Sequence, residues 1–285
     1  MLASKTLRSA LLAILPCVAA APAFALTPDT FVSSAGTDAG ACDSVAAACR
    51  TFAYAIGQTS PGGTMKAVNA GNFGPFKIEK SITVIGVEGA MVHQTGWGDG
   101  VTIAAGATDT VRLVGLDIVG NGSKAPAPGS NGVAVSAAGR VVIEKCLIRD
   151  FVMRGVTFTN NTSFLIQDTT LSNFGLDGVS VRGTATSVAI GAVHRVTVDG
   201  ARTGGGVYAD GLNHVSVSET VVVNSNWGFV AAGKSRLEIT HSSARHNVIG
   251  LAHYSTAIAE TAGNNFFRDN GTNISGPAPT FVGMQ

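Results

Sequence analysis

One short phrase, a glycine followed by an apolar, a variable and a mostly apolar residue, returns along the middle of this 285-residue chain. It stands at Gly100-Val101-Thr102-Ile103, Gly132-Val133-Ala134-Val135, Gly155-Val156-Thr157-Phe158 and Gly178-Val179-Ser180-Val181. It recurs at Gly206-Val207-Tyr208-Ala209, Gly228-Phe229-Val230-Ala231 and Gly250-Leu251-Ala252-His253. Successive glycines lie 32, 23, 23, 28, 22 and 22 residues apart. A β-rich unit with a period in the low twenties marks a solenoid, in which each turn lies on the one before it. Alternate strand residues face the same way, so positions one and three after each glycine are expected to point inward. The residue between them varies, as an outer face can.

A second strand is expected 9–12 residues after each glycine, at Val111/Leu113, Val141/Ile143, Phe164/Ile166, Val188/Ile190, Val215/Val217 and Leu237/Ile239. A third inward column follows at Ile118, Ile148, Leu171, Val196, Val222 and Ala244. Cys146 aligns with Leu116, Thr169, Val193, Thr220 and Ser242, which reads as a ladder of small buried residues and makes the thiol a core filler. Three strands per turn, each paired with its equivalent about 4.8 Å away in the next turn, satisfy the backbone groups. The fold class is therefore all-β, a parallel β-helix with three-strand rungs. Ahead of it, Cys49–Ile56 reads as a short helix with Phe52, Ala55 and Ile56 on one face, ended by Gly57 and Pro61-Gly62-Gly63. Such a helix covers the open first rung, whose strand edge would otherwise recruit other strands.

The expected organisation is a signal peptide over 1–25, an N-terminal strand and helix cap over 26–63, the β-helix over 64–275 and a tail over 276–285. In the tail, Phe281-Val282 is expected to fold back over the open end. The leader has Lys5 and Arg8 before the apolar run Ala10–Ala21, and Ala23-Phe24-Ala25 has the small-x-small form of a cleavage site. Export to the periplasm or beyond follows, with cleavage near Ala25. A formal charge of +1 with scattered lysines and arginines provides no field for nucleic acid or an anionic membrane surface. No later segment is long and apolar enough to insert in a membrane. In an exported chain Cys42 and Cys49, close in sequence, are expected to form a disulfide.

The helix cap, the rungs of about 22 residues and the Gly-Val-x-Val strands resemble the right-handed parallel β-helix proteins of the pectin-lyase-like superfamily, over roughly residues 64–275. The likeness is closest to secreted β-helix repeat members, many without an assigned activity. It implies a right-handed coil, and a fold alone does not fix a function. The paired-aspartate and Gly-His-Gly combination of the superfamily's polygalacturonases is missing, as are the Asp-Pro-His motif of its mannuronan epimerases and the arginine segment of its pectate lyases.

Candidate chemistry gathers on one edge. Asp150, Asn173, Asn224 and His246 occupy equivalent turn positions. Both long repeats place their extra residues in the same connection, Asn121–Ser130 and Ala201–Gly205, so the two loops are expected to wall a shallow groove. The residues just before the anchor glycines line that edge: Asp99, Asn131, Arg154, Asp177, Gly205 and Trp227. Arg154 should sit one rung from both Asn131 and Asp177. With Trp97, Tyr208 and Trp227 nearby, this makes a saccharide platform, aromatic faces stacking on sugar rings and planar polar groups pairing with hydroxyls or carboxylates. The partner is then a polysaccharide or cell-surface glycan, and the substrate-binding candidates are Trp97, Asp99, Asn131, Arg154, Asp177, Tyr208 and Trp227. The alternative is a lyase or hydrolase of acidic polysaccharide using Asp150, Arg154 and Asp177, the carboxylates being close enough in register to work as a pair. No cofactor is expected, with Ca²⁺ entering only under the lyase alternative. No metal-ligand spacing is present, and the oligomeric state is not encoded in any motif.

Overall fold

The computed structural model describes residues 26–122, 129–183, 186–254 and 256–282. The leader and the centre of the first insertion (residues 123–128) lie outside the described residues. Apart from one helix and the turns, the described residues wind into three parallel sheets, here called A, B and C in the order the chain visits them. One turn shows the plan: Arg140–Glu144 in sheet A, Leu147–Phe151 in sheet B, Arg154–Phe158 in sheet C, then Ser163–Gln167 back in sheet A. Among the described residues the sheets hold eleven, nine and nine strands, every pair parallel, with register shifts only in the Thr27–Val32 pair and beside Val135. This is a right-handed parallel β-helix, the hand that parallel crossovers take.

The glycine columns fall where the repeat puts them. Val101, Val133, Val156, Val179, Val207, Phe229 and Leu251 are buried and stacked on one another. The residue between the two inward positions departs from expectation in the C-terminal half, where Thr157, Ser180, Val230 and Ala252 are also buried. The outer face of sheet C is covered there, and what covers Ser180 is the charged cluster described below.

One rung departs from the sequence reading. Its sheet-A strand is Ile190–His194, and its inward pair is Gly191 and Val193, opposite Phe164 and Ile166; Val188/Ile190 is not the pair. Ile190 is exposed. Downstream the same slip makes Val198 the inward residue of sheet B, in register with Leu171 and Val222, while Val196 takes the small-residue column that was read as Val193. The physical reason is a longer connection after Val179–Arg182, which moves the next strand back, and a glycine in an inward slot, which an apolar pattern does not register. Cys146 is buried, and desolvation pushes its thiol up to about 11.

At the N-terminal end the helix spans Phe52–Gln58, starting later than Cys49 because Thr51 is its extended N-cap and accepts from the Tyr54 N–H. The Asp38 carboxylate accepts from the Arg50 and Thr51 N–H groups at 2.8 Å each. Phe52 packs on Phe73 and Phe76 with centroids 5.1 Å away from each, closing the core. The disulfide Cys42–Cys49, with Cα atoms 5.3 Å apart, ties down the segment before the helix. The following strand begins at Thr59 and takes in Pro61-Gly62-Gly63, which form a bulge against Thr27–Val32. That first strand already belongs to sheet A, so the coil starts at Thr27. At the other end Thr280–Phe281 pairs with Glu260 and Thr261 and extends sheet A, where the sequence reading had Phe281-Val282 folded over the end.

Lys80 fastens the helix to the coil. Its Nζ donates to the Ile56 carbonyl at 2.7 Å and the Thr59 carbonyl at 2.5 Å, two carbonyls at the helix C-terminus. A cation there satisfies carbonyls that the helix leaves open. Lys80→Met is expected to lower stability by about 1–2 kcal/mol, read as a drop in the urea midpoint at unchanged slope. An unchanged midpoint would remove Lys80 from the cap.

Candidate functional site

The turn from sheet B to sheet C carries the polar edge. Asp150, Asn173, Asn224 and His246 share a left-handed backbone there, with φ of 65, 60, 53 and 55°. Asn and Asp tolerate that conformation because their short side chains bond locally. Asn173 Nδ2 donates to Asp150 Oδ1 at 2.5 Å, Arg149 Nη1 to Asp150 Oδ2 at 3.1 Å, and Arg202 reaches the Asn173 oxygen from the next rung. Between Gly122 and Arg202 lies a small hollow of about 110 Å³, lined also by Phe151, Val152, Asn173 and Gly175. Beyond Arg202 a wider, open groove of about 610 Å³ continues past Asn224, Asn226 and His246.

Where these turns enter sheet C, a charged cluster forms around Asp177, whose side chain is only 1% exposed. Asp177 Oδ2 accepts from Arg154 Nε at 3.2 Å, Ser180 Oγ at 2.8 Å and Arg182 Nη2 at 3.2 Å. The other oxygen accepts the Gly205 N–H at 3.0 Å. Most of the extra residues of this long repeat lie in the connection from sheet C to sheet A before Ile190–His194, not in Ala201–Gly205 as the sequence suggests. The Ala201–Gly205 turn still makes this last bond feasible: a Cβ on Gly204 would run into Asp177 Oδ1, so only a glycine lets the turn close over the carboxylate. Arg182 Nε also donates to Ser180 Oγ at 3.0 Å, and the guanidinium lies 4.3 Å over the Tyr208 ring. Burial pushes the Tyr208 phenol above its ordinary range, against the opposing pull of Arg182.

Arg154 and Asp177 therefore meet across one rung. Asn131, the strand partner of Arg154, turns its amide to Asp99 Oδ1 at 2.8 Å, and its own oxygen is buried without a hydrogen bond. Asp99 and Asn131 form one pair and Arg154 and Asp177 the next. Tyr208 sits beneath the cation rather than bare. Trp227 opens its strand opposite Gly205, at the margin of the cluster. Trp97 projects from the loop before Asp99 with 71% of its surface exposed. Asp150 is bonded within the turn, and among the described residues it shares no hydrogen-bonding partner with Asp177. Ser180, Arg182 and Arg202 did not stand out in the sequence. The signal for the first two was period-two spacing outward from Gly178, Ser180 and Arg182 sharing a face.

The chain is thus a right-handed parallel β-helix with a polar corner and a guanidinium-lined outer face. A family model described as "Periplasmic copper-binding protein (NosD)" matches residues 85–279, and the chain belongs to the NosD family. No curated protein matches the sequence. Among solved structures, the crystal structure of an alginate lyase from Paenibacillus sp. str. FPU-7 is similar, with a TM-score of 0.59 and 15% identity over 88% of this chain and 99% of that one. That likeness shows the fold. The family's description raises copper, which favours thiolate, thioether and imidazole ligands. Among the described residues no three His, Cys, Asp or Glu side chains come together as a metal site. Cys42 and Cys49 are tied in a disulfide, Cys146 is a protonated core thiol and His253 is held by the Ala257 carbonyl. Among the described residues the His, Cys, Asp and Glu side chains do not form a copper site.

Proposed function

We propose that this chain is an exported β-helix that binds an extended polysaccharide along the corner between sheets B and C and the adjoining outer face of sheet C, without turning it over. The observation that carries this reading is the state of Asp177. A catalytic carboxylate needs an oxygen free to take or give a proton beside the substrate, whereas both oxygens of Asp177 are engaged by four donors in a dry setting. Its work is to hold Arg154 and Arg182 in place, which suits recognition. The elongated corner, lined with Asn and Arg side chains, suits a linear glycan. A periplasmic location accords with the family's description and with the leader read from residues 1–25. Among the described residues no helix is long and apolar enough to cross a membrane.

Titration of the purified chain against a panel of neutral and acidic oligosaccharides is expected to show saturable binding to at least one. Prolonged incubation with that ligand is expected to yield neither unsaturated uronate absorbance nor new reducing ends. Product formation would overturn the non-catalytic reading, and failure to bind any member would overturn glycan recognition.

A further inference from the structure

We infer that Arg182 forms a subsite for a single carboxylate, so that the sugar bound on the outer face of sheet C is a uronate. The inference rests on the glycan-binding reading above and adds the chemistry of the ligand.

A guanidinium offers two forks: a side-on fork of Nε and Nη2, and an end-on fork of Nη1 and Nη2. In Arg182 the side-on fork is used inside the protein, Nε donating to Ser180 Oγ and Nη2 to Asp177 Oδ2. Both acceptors are buried, Ser180 completely. The Tyr208 ring, 4.3 Å from the guanidinium carbon, fixes the plane of the group from below. Nη1 has no acceptor among the described residues, Nη2 has a second hydrogen beyond its bond to Asp177, and the side chain is 39% exposed. A cation held on three sides with its last planar edge presented to solvent is preorganised for a bidentate planar anion, and ordering entropy is already spent.

The surroundings set the rest of the selectivity. Arg154 adds a second positive charge one strand away, partly offset by Asp177. Asp210, the strand partner of Arg182, places a carboxylate on the same face. It disfavours an anion approaching over sheet C beyond Arg182, so the ligand's carboxylate is directed to the end-on edge, with Asp210 left to accept sugar hydroxyls.

The test compares an oligouronate with the same oligomer after carboxyl reduction, and with a sulfated oligosaccharide of equal length, by calorimetric titration. The wild type is expected to prefer the uronate. Arg182→Lys keeps the charge but loses the fork and the stacked plane, and should weaken uronate binding about tenfold or more and the reduced oligomer far less. Asp210→Asn should shift the preference several-fold toward the uronate relative to the reduced oligomer. Melting curves confirm that both variants are folded. Equal binding of uronate and reduced oligomer, or equal losses for both in Arg182→Lys, would overturn the carboxylate subsite and leave glycan binding standing. Tighter binding of the sulfated ligand, lost in the same variant, would reassign the subsite to sulfate esters. Binding of none of the three would overturn both this inference and the reading it rests on.

Discussion

Gly191→Val is expected to leave little folded protein, and Gly191→Ala to cost about 3 kcal/mol. Gly191 occupies an inward slot of sheet A between Phe164 and Val215. A Cβ placed there would fall 2.5 Å from the Phe164 ring atoms and nearer still to the Phe164 carbonyl. The ring cannot retreat, because it stacks on Phe158 at 4.3 Å across the interior of the same turn and both are buried. A carbonyl in a parallel ladder cannot retreat either, since its hydrogen bond fixes the rung spacing. The two phenylalanines thus use space that the next turn supplies by omitting a side chain. The control is Gly57, in the helix, where a Cβ meets nothing within 4 Å. There Gly57→Ala should stabilise by about 0.5–1 kcal/mol through helix propensity alone. Denaturant midpoints of the two alanine variants should move in opposite directions. A neutral Gly191→Ala would mean that the Phe158–Phe164 stack is not packed as described.

The same glycine explains where reading by repeat succeeds and where it stops. Inward columns are legible because a solenoid places residues of equal offset over one another, and the apolar demand at those offsets is strict. The offset failed in the rung after Gly178, where the connection is longer and the inward residue of sheet A is Gly191. A small residue that makes room for a large neighbour looks like a loop in a pattern of apolar letters. The candidate site was legible to the extent that it crosses rungs: Arg154 over Asp177 follows from counting turns. Ser180 and Arg182 lie within Asp177's own rung; period two puts them on one face, but the outward positions vary from rung to rung and that spacing alone does not mark them as partners of Asp177. The role of Gly204-Gly205 is not legible in the spacing, since closing a backbone N–H onto a buried carboxylate is a matter of geometry. Trp97 and Trp227 were chosen for their chemistry, and the structure sets them at the margin.

Asp177→Ala is expected to cost about 3–5 kcal/mol and to abolish preference for an acidic ligand. Removing the carboxylate leaves Arg154, whose side chain is only 17% exposed, as a cation without a counter-charge. It also leaves the Gly205 N–H and the Ser180 hydroxyl without their acceptor. An uncompensated buried charge is the expensive part, because the ion pair itself returns little over its desolvation. That separates two causes. In Arg154→Met with Asp177→Asn the charges go together, and the double variant should recover a large part of the stability lost by Asp177→Ala. It should not recover ligand preference, because Arg182 would still lack the anionic anchor that holds its side-on fork and would swing free of the Tyr208 ring. Stability and recognition would then come apart in one protein, the melting temperature returning and the uronate preference staying lost. Recovery of both together would show that Asp177 serves the fold alone and that Arg182 is held by Ser180 and Tyr208 without it.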